Sequence, residues 1–472
     1  MTDAELVSAT LTSAGELVRR KQISPLELTR AYLDRIERLD GHFRAYIAVT
    51  PKQALAAAER ATQEIARGQW RGPLHGIPIA YKDLFAVRGV PMTCGSKVMA
   101  DHLPDCDATA VLRMAEAGAI SLGKLNLHEF AWGGTSINPH YGTPRNPWHP
   151  EYISGGSSGG SGVALAGSLA LGSLGTDTGG SVRIPSALCG VVGLKPTYGR
   201  VSRYGVFPLC WSFDNVGPMG KTVEDVAHQL QVLAGYDPKD PTSSRRAVPN
   251  YAAALTDDVK GLRLGVPTEH FFEGIEPIVR ERVDAAIHHL CELGAIAEPV
   301  SLPLMSYVPQ TSYVMMLSEA YAVQADMLRN RAREYGDDVR TRLLMGGVIS
   351  ADDYLKAQRF RRLLRDQVMR ILGRVDALVT PTSLITAKRI DQPTARIADR
   401  DIVVNAYISR CTRPFNMTGV PALSVPCGFS AEGLPVGLQV VGRPFDEETV
   451  LRIAHAYERS TPWHERRPTV SA

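Results

Sequence analysis

The sequence predicts an α/β fold in a single large domain, and three observations support this prediction. The 472-residue chain is 44% hydrophobic and 21% charged, which is typical of a folded globular protein with a sizeable core. Short apolar runs broken by glycine alternate with segments of helical periodicity, as strands and helices do in an α/β sheet. No linker divides the chain, and residues 237–249 are typical of a surface excursion.

The first well-marked element is a helix near the N-terminus. Ser24 is its predicted N-cap, Pro25 takes the first helical position and Glu27 completes a capping box. Apolar residues then recur at helical spacing until Gly41. We expect residues 1–70 to form a mainly helical N-terminal region.

Beyond residue 72 the pattern alternates between strands and helices. Strands are predicted at residues 76–82, 119–123, 169–175, 261–266 and 375–379, and helices at residues 108–117 and 276–293. Residues 305–369 are mainly helical and rich in methionine and tyrosine, which is typical of a pocket wall and equally of core packing.

Composition argues against several classes of function. The net charge is +3, without a dense basic block, so we expect no nucleic-acid partner. No long apolar run and no signal-like N-terminus occur, which predicts no membrane association. The seven cysteines form no CxxC pair and favour a reduced, cytoplasmic protein. With no HExxH spacing, we expect neither a metal nor another cofactor.

Residues 154–162 read SGGSSGGSG and allow several interpretations. Their composition favours a flexible tether, although the same small residues also suit a backbone cradle. Residues 155–159 formally match GxSxG, but a nucleophile elbow requires a strand directly before the serine. The preceding residues 146–152 contain two prolines and little strand pattern, so we reject the elbow.

Residues 175–185 contain a second glycine-rich turn. A strand that opens into Thr178-Gly-Gly-Ser181 can direct several backbone N–H groups at one point, which an oxyanion hole requires. Asp177 and Arg183 flank the turn at a separation that suits an ion pair. A purely structural turn is the alternative.

Three segments in this order resemble the amidase signature family. They are IPIAYKD with Lys82, the glycine–serine run with Ser157, and TDTGGSVR with Ser181. The likeness extends over most of the chain, through residues 123–130, 141–147, 189–196 and 419–426. It implies a central mixed β-sheet covered on both faces by helices, with a catalytic core over residues 71–235 and a sheet and helical pocket region in the remainder.

The resemblance also implies the roles of individual residues. Ser181 would be the nucleophile, Ser157 a proton shuttle that follows a cis peptide bond, and Lys82 the final base. The backbone N–H groups of Thr178, Gly179, Gly180 and Ser181 would hold the oxyanion, and the expected supporting residues are Asp177, Arg183 and Ser158. Without a histidine base, a neutral amine must accept the serine proton, so Lys82 must be desolvated.

Within the family we expect a stand-alone amide hydrolase that acts on a small, fairly apolar amide, and also on aryl esters or carbamates. The resemblance gives the A subunit of glutamyl-tRNA amidotransferase an acidic residue where this chain has Ser409, and we see no charged clamp. The A subunit remains the alternative, as does a catalytically silent binding subunit. We expect a small-molecule amide as the partner and leave a homodimer open. Candidate substrate-binding residues are Tyr307, Tyr313, Met316 and Tyr321.

Overall fold

A large β-sheet organises the chain in the computed structural model, which describes residues 2–397 and 399–469. The described strands are β1 Tyr46–Val49, β2 Pro78–Lys82, β3 Ile120–Leu125, β4 Arg145–Asn146, β5 His149–Ile153, β6 Gly172–Asp177, β7 Val192–Lys195, β8 Asn215–Gly220, β9 Arg263–Pro267, β10 Ile296–Val300, β11 Ala377–Pro381, β12 Thr394–Ile397, β13 Arg400–Val403, β14 Ala422–Phe429 and β15 Pro435–Val441.

Eleven of these strands form one sheet in the order β1-β3-β2-β6-β8-β7-β14-β15-β11-β9-β10. β2 pairs in parallel with β3 and β6, and β9 pairs in parallel with β10 and β11. The other pairs in this sheet are antiparallel, so it is mixed. Every residue of β2, β6 and β8 is buried, which means that both faces of the sheet are covered there.

Helices cover the sheet. The described helices are α1 Asp3–Ser8, α2 Leu11–Arg19, α3 Pro25–Phe43, α4 Pro51–Ala66, α5 Thr109–Glu116, α6 Gly159–Ala166, α7 Arg183–Cys189, α8 Val223–Leu233, α9 Pro277–Glu292, α10 Val308–Arg331, α11 Asp337–Gly346, α12 Ala351–Leu372, α13 Val404–Tyr407, α14 Arg413–Thr418 and α15 Glu447–Arg459. None of them is long and apolar enough to cross a membrane. The single α/β domain with a mixed sheet is therefore confirmed.

Local sequence signals account for many element boundaries. Ser24 caps α3 and forms the predicted capping box with Glu27, and α3 continues past Gly41 to Phe43. The strand predicted over residues 169–175 is β6, shifted to Gly172–Asp177. This shift places Asp177 at the carboxyl end of the strand, next to the glycine-rich turn.

The glycine–serine run is not a tether. All residues from 154 to 162 are buried, and the second half of the run forms the first turn of α6. A Cβ on Gly156 would lie 2.7 Å from the carbonyl oxygen of Gly133, and one on Gly160 would lie 2.5 Å from that of Ala45. The run lacks side chains because neighbouring backbone packs directly against it.

Candidate active site

The edge of the sheet where β2 and β6 end brings the predicted site residues together. These strands are parallel neighbours, so their carboxyl ends meet at one edge, where ligands bind in open α/β sheets. Lys82 is the last residue of β2, and Asp177 is the last residue of β6. The turn with Ser181 follows directly.

Lys82 is fully buried and contacts two hydroxyl groups. Its Nζ donates hydrogen bonds to Ser157 Oγ and to Thr176 Oγ1, each at 2.8 Å. Burial lowers the pKa of Lys82 to about 7, although the charges of Asp177 and Asp214 favour the protonated form. Near neutral pH, much of this amine is uncharged and able to accept a proton.

Ser157 lies between Lys82 and the glycine-rich turn. The peptide bond between Gly156 and Ser157 is cis, as the resemblance implies. The carbonyl oxygen of Ser157 accepts hydrogen bonds from the N–H of His128 at 3.1 Å and from Ser136 Oγ at 3.2 Å. These contacts fix the backbone so that the Ser157 hydroxyl points toward Lys82.

Ser181 is the most accessible of the three residues. It keeps 8% of its surface exposed, whereas Ser157 and Lys82 have none. The N–H of Ser158 donates to the Ser181 carbonyl oxygen at 3.1 Å, which links the two serine segments. Between described side chains, a hydrogen bond joins Lys82 to Ser157 but none joins Ser157 to Ser181. Catalytic hydrogen bonds are often long in unliganded sites and shorten when substrate binds.

Asp177 organises the turn that carries Ser181. Its carboxylate accepts hydrogen bonds from the N–H groups of Gly180 at 2.8 Å and Val182 at 3.1 Å. The predicted ion pair with Arg183 is present, with Arg183 Nη2 2.8 Å from Asp177 Oδ1. Burial opposes ionisation of Asp177, but the charge and hydrogen bonds of Arg183 outweigh it and hold its pKa below the ordinary value.

The oxyanion donors predicted from the sequence are not equivalent. The N–H of Gly180 is already bonded to Asp177. Within the described chain, the N–H groups of Gly179 and Ser181 make no hydrogen bond, so they remain open to a ligand. The Thr178 hydroxyl donates to Asp214 Oδ1 at 2.6 Å and fixes the start of the turn.

Gly180 lies so close to Thr412 that a residue with a side chain would not fit in its place. Its φ of +126° is unfavourable for L side chains, and a Cβ would lie 2.1 Å from Thr412 Oγ1. We expect Gly180→Ala to lower kcat/KM by about 100-fold or more, the loss typical of a damaged oxyanion hole. Gly41→Ala is the control, because Gly41 lies in α3, away from the site, and a Cβ there would meet nothing within 4 Å. Equal amide-hydrolysis rates for the two folded variants would refute this prediction.

Three residues far along the chain complete the site, and the sequence did not predict them. Arg183 Nη1 donates to Gln439 Oε1 at 2.7 Å and to the Thr412 carbonyl oxygen at 2.9 Å. Its Nη2 donates to Asn416 Oδ1 at 2.7 Å. Thr176, the second partner of Lys82, was also missed, although strand alternation places it on the same face as Thr178.

We expect Arg183→Met to lower the free energy of unfolding by about 3 to 5 kcal/mol, because it leaves the fully buried Asp177 without its counter-ion. Urea denaturation monitored by circular dichroism measures this change. Arg280→Met is the control, since the Arg280–Asp284 ion pair is about half exposed and should contribute little. Similar denaturation midpoints for both variants would argue against the structural role of Arg183.

A cavity of about 820 Å³ opens onto Ser181 and Gly179. Two of the predicted substrate-binding residues, Tyr313 and Met316, line it. Tyr307 is 60% exposed and its ring packs on Phe360, so it lies away from the cavity. Tyr321 packs beside Gly346 and Gly347 and is also outside. The cavity wall further includes charged side chains that the sequence did not predict: Asp337, Asp338, Arg342 and Arg413.

Comparison with known proteins agrees with this geometry. The family model Amidase matches residues 27–451, which span both serines, Lys82 and the Asp177–Arg183 turn. The chain belongs to the amidase signature family. It is thus an amidase-family enzyme that acts on C–N bonds.

Several members of the amidase signature family are similar over the whole chain. The A subunit of the glutamyl-tRNA(Gln) amidotransferase of Geobacter metallireducens is 44% identical, over 98% of this chain and 99% of the relative. The structure of the corresponding A subunit from Thermotoga maritima is 36% identical, with complete coverage of both chains and a TM-score of 0.84. A vestigial complex that reveals the origins of an s-triazine catabolic enzyme contains a chain 34% identical, with 96% and 98% coverage and a TM-score of 0.92.

These amidase relatives correct the expected function. A stand-alone hydrolase of a small apolar amide is wrong, because the curated relatives that are 41–44% identical over nearly the whole chain are named as A subunits of glutamyl-tRNA(Gln) amidotransferases. That expectation depends on the uncharged Ser409 and on the lack of a charged clamp in the sequence. The cavity is in fact charged, since Arg342 and Arg413 both line it.

The expected partners are corrected as well. The sequence predicts a small-molecule amide as the partner and no nucleic acid. Both expectations conflict with the relatives, whose names include glutamyl-tRNA(Gln). That exclusion depended on a net charge of +3 and on the absence of a basic block. Net charge averages over the whole surface, so a value of +3 does not by itself exclude a nucleic-acid partner.

Proposed function

We propose that this chain is the A subunit of a glutamyl-tRNA(Gln) amidotransferase and that it releases ammonia from the side-chain amide of glutamine. The observation that carries the proposal is the 44% identity to such a protein over 99% of its length. The buried contact between Lys82 and Ser157, beside the accessible Ser181, provides a catalytic centre suited to that reaction.

In this proposal, Ser181 Oγ attacks the amide carbon while its proton passes to Ser157, whose own proton passes to Lys82. The new oxyanion is stabilised by the N–H groups of Gly179 and Ser181. The carbon–nitrogen bond then breaks as a proton returns through Ser157 to the nitrogen, and ammonia leaves. Water attacks the Ser181 ester with the same proton relay, which releases the acid and restores the hydroxyl. Atoms and protons balance without a cofactor.

The surroundings support these roles physically. A serine hydroxyl becomes nucleophilic only when a neighbouring base accepts its proton, and Lys82 with a pKa of about 7 is such a base near neutral pH. Thr176 and Ser157 hold its nitrogen from two sides, so the amine is oriented before substrate arrives. Asp177 and Arg183 hold the turn in position but do not touch the reacting atoms.

An exchange experiment tests the proposal. The chain replaces the A subunit in the Geobacter metallireducens amidotransferase, and glutamine-dependent conversion of glutamyl-tRNA(Gln) to glutaminyl-tRNA(Gln) is measured in the presence of ATP, which activates the glutamyl carboxylate oxygen as a leaving group. We expect conversion with this chain and none with Ser181→Ala. Ammonia release without any transfer to tRNA would contradict the proposal. If the chain were a catalytically silent binding subunit, a fluorophosphonate would not react with it. Our proposal instead predicts that the fluorophosphonate adds its mass to Ser181.

A further inference from the structure

Arg413 is a cation at the wall of the cavity, and no described residue forms an ion pair with it. It is the first residue of α14, and its Nε lies 3.5 Å from the position of a Cβ on Gly179, in the turn that carries Ser181. Its Nη2 donates to Ser409 Oγ at 2.5 Å. Its Nε is buried without a hydrogen-bond partner in the described chain. Part of its hydrogen-bonding capacity is therefore unused.

The other two arginines near the site are neutralised. Arg183 pairs with Asp177, and Arg342 pairs with Asp338 and lies over the ring of Trp132. Burial lowers the pKa of Arg413 to about 10, so this group still carries its charge near neutral pH. Arg413 is partly buried, and its Nε is fully buried, so a guanidinium here without a counter-ion is costly unless a ligand provides the anion.

The carboxylates of the cavity wall are, in contrast, already engaged. Asp338 accepts from His128 Nε2 at 3.2 Å and pairs with Arg342, and Asp337 accepts from Arg340 at 2.6 Å. Ser409, beside Arg413, is uncharged. Among the described residues that line the cavity, the unpaired charge is thus positive, next to the turn that carries the nucleophile.

We propose that Arg413 binds a carboxylate of the amide substrate and that this contact, rather than recognition of an ammonium group, selects the substrate. The inference rests on the proposed function and deepens it, because glutamine carries both groups and this site is built for only one of them. A planar guanidinium offers the parallel N–H donors that a carboxylate accepts, and Nε is one of them. The substrate class is therefore small amides with a carboxylate at the end opposite the amide.

Three amides of similar length separate the contributions of the charged groups. Glutamine has the carboxylate and the ammonium, glutaramate has only the carboxylate, and pentanamide has neither. We expect kcat/KM for glutaramate to lie within about threefold of that for glutamine, and that for pentanamide to be at least about 100-fold lower, the loss expected for one missing charge-assisted contact. A requirement for the ammonium, seen as poor turnover of glutaramate, would overturn the proposal.

Variants of Arg413 test the assignment to this residue. Arg413→Met should lower kcat/KM for glutaramate about 100-fold, mainly through KM, and change the value for pentanamide less than about threefold. Arg413→Lys keeps the charge and should recover part of the loss, which guards against misfolding. Arg410→Met is the matched control, because Arg410 pairs with Glu273 outside the cavity. An equal loss for both substrates in Arg413→Met would show a merely structural role.

The two proposals can fail separately. If glutaramate is preferred over pentanamide and Arg413 controls that preference, but no transfer to glutamyl-tRNA(Gln) occurs in the exchanged complex, only the amidotransferase assignment fails. If transfer from glutamine proceeds equally well with Arg413→Met, the carboxylate role of Arg413 fails and the amidotransferase assignment stands.

Discussion

Ser181→Ala is expected to lower kcat for amide hydrolysis by at least about 10⁴-fold, because the variant lacks the oxygen that we propose forms the acyl-enzyme. The fold should be unaffected, since the turn is held by Asp177 and Arg183 rather than by this hydroxyl. Steady-state ammonia release measures the loss, and circular dichroism reports the fold.

Ser173→Ala is the matched control for this prediction. Ser173 lies in the strand that leads into the turn, β6, and its hydroxyl is buried without a hydrogen-bond partner in the described chain. Its removal should leave kcat within a few-fold of the wild type. Full activity of Ser181→Ala on every amide and ester tested would show that another residue is the nucleophile.

The activity should depend on the protonation of Lys82. Below a pH of about 7 the buried amine is protonated and cannot accept the Ser157 proton, so kcat/KM should fall about tenfold per pH unit on the acid side. The rate should rise with pH through about 7 and then level off. Lys82→Met should remove this acid limb and lower kcat by about 10² to 10⁴-fold, the usual contribution of a general base.

Lys195 provides an unusually close control for the pH profile. It is also fully buried, burial also lowers its pKa to about 7, and its Nζ donates to the Pro196 carbonyl oxygen. Lys195→Met should keep the acid limb with the same midpoint, even if its rate is reduced. An acid limb that persists in Lys82→Met and disappears in Lys195→Met would assign the titration to Lys195 and contradict the role of Lys82.

The sequence predicted the parts of the site that lie within short segments. Lys82, Ser157 and Ser181 each stand in a motif of a few residues, and the Asp177–Arg183 pair spans a single turn. Lys82 and the Ser181 turn converge because β2 pairs in parallel with β6. The segment with Ser157 joins them through the hydrogen bond from the Ser158 N–H to the Ser181 carbonyl oxygen. Gln439 and Asn416 were not predictable in this way, because their contacts with Arg183 join residues 256 and 233 positions apart.

The cavity was harder to predict than the catalytic turn. Tyr307 and Tyr321 are residue types that often line pockets, but tertiary packing places both outside this one. Tyr307 precedes α10 and packs on Phe360, and Tyr321 lies on the face of α10 that packs beside Gly346 and Gly347. The prediction of a fairly apolar amide as substrate was wrong for a related reason. Ser409 by itself predicts an uncharged position, whereas Arg413, four residues later at the start of α14, donates a hydrogen bond to Ser409 Oγ and brings a positive charge to the cavity.

The long-range hydrogen bonds of Arg183 also bear on when the enzyme becomes active during its synthesis. The ribosome makes the chain from the N-terminus, so Lys82, Ser157 and Ser181 emerge long before Thr412, Asn416 and Gln439. Until those later residues are available, Arg183 lacks three of its acceptors, and Gly179 and Gly180 lack their contacts with Thr412. A nascent chain that ends before β15 therefore carries Ser181 on a turn whose supporting hydrogen bonds are incomplete, and that support is completed only in the last part of translation.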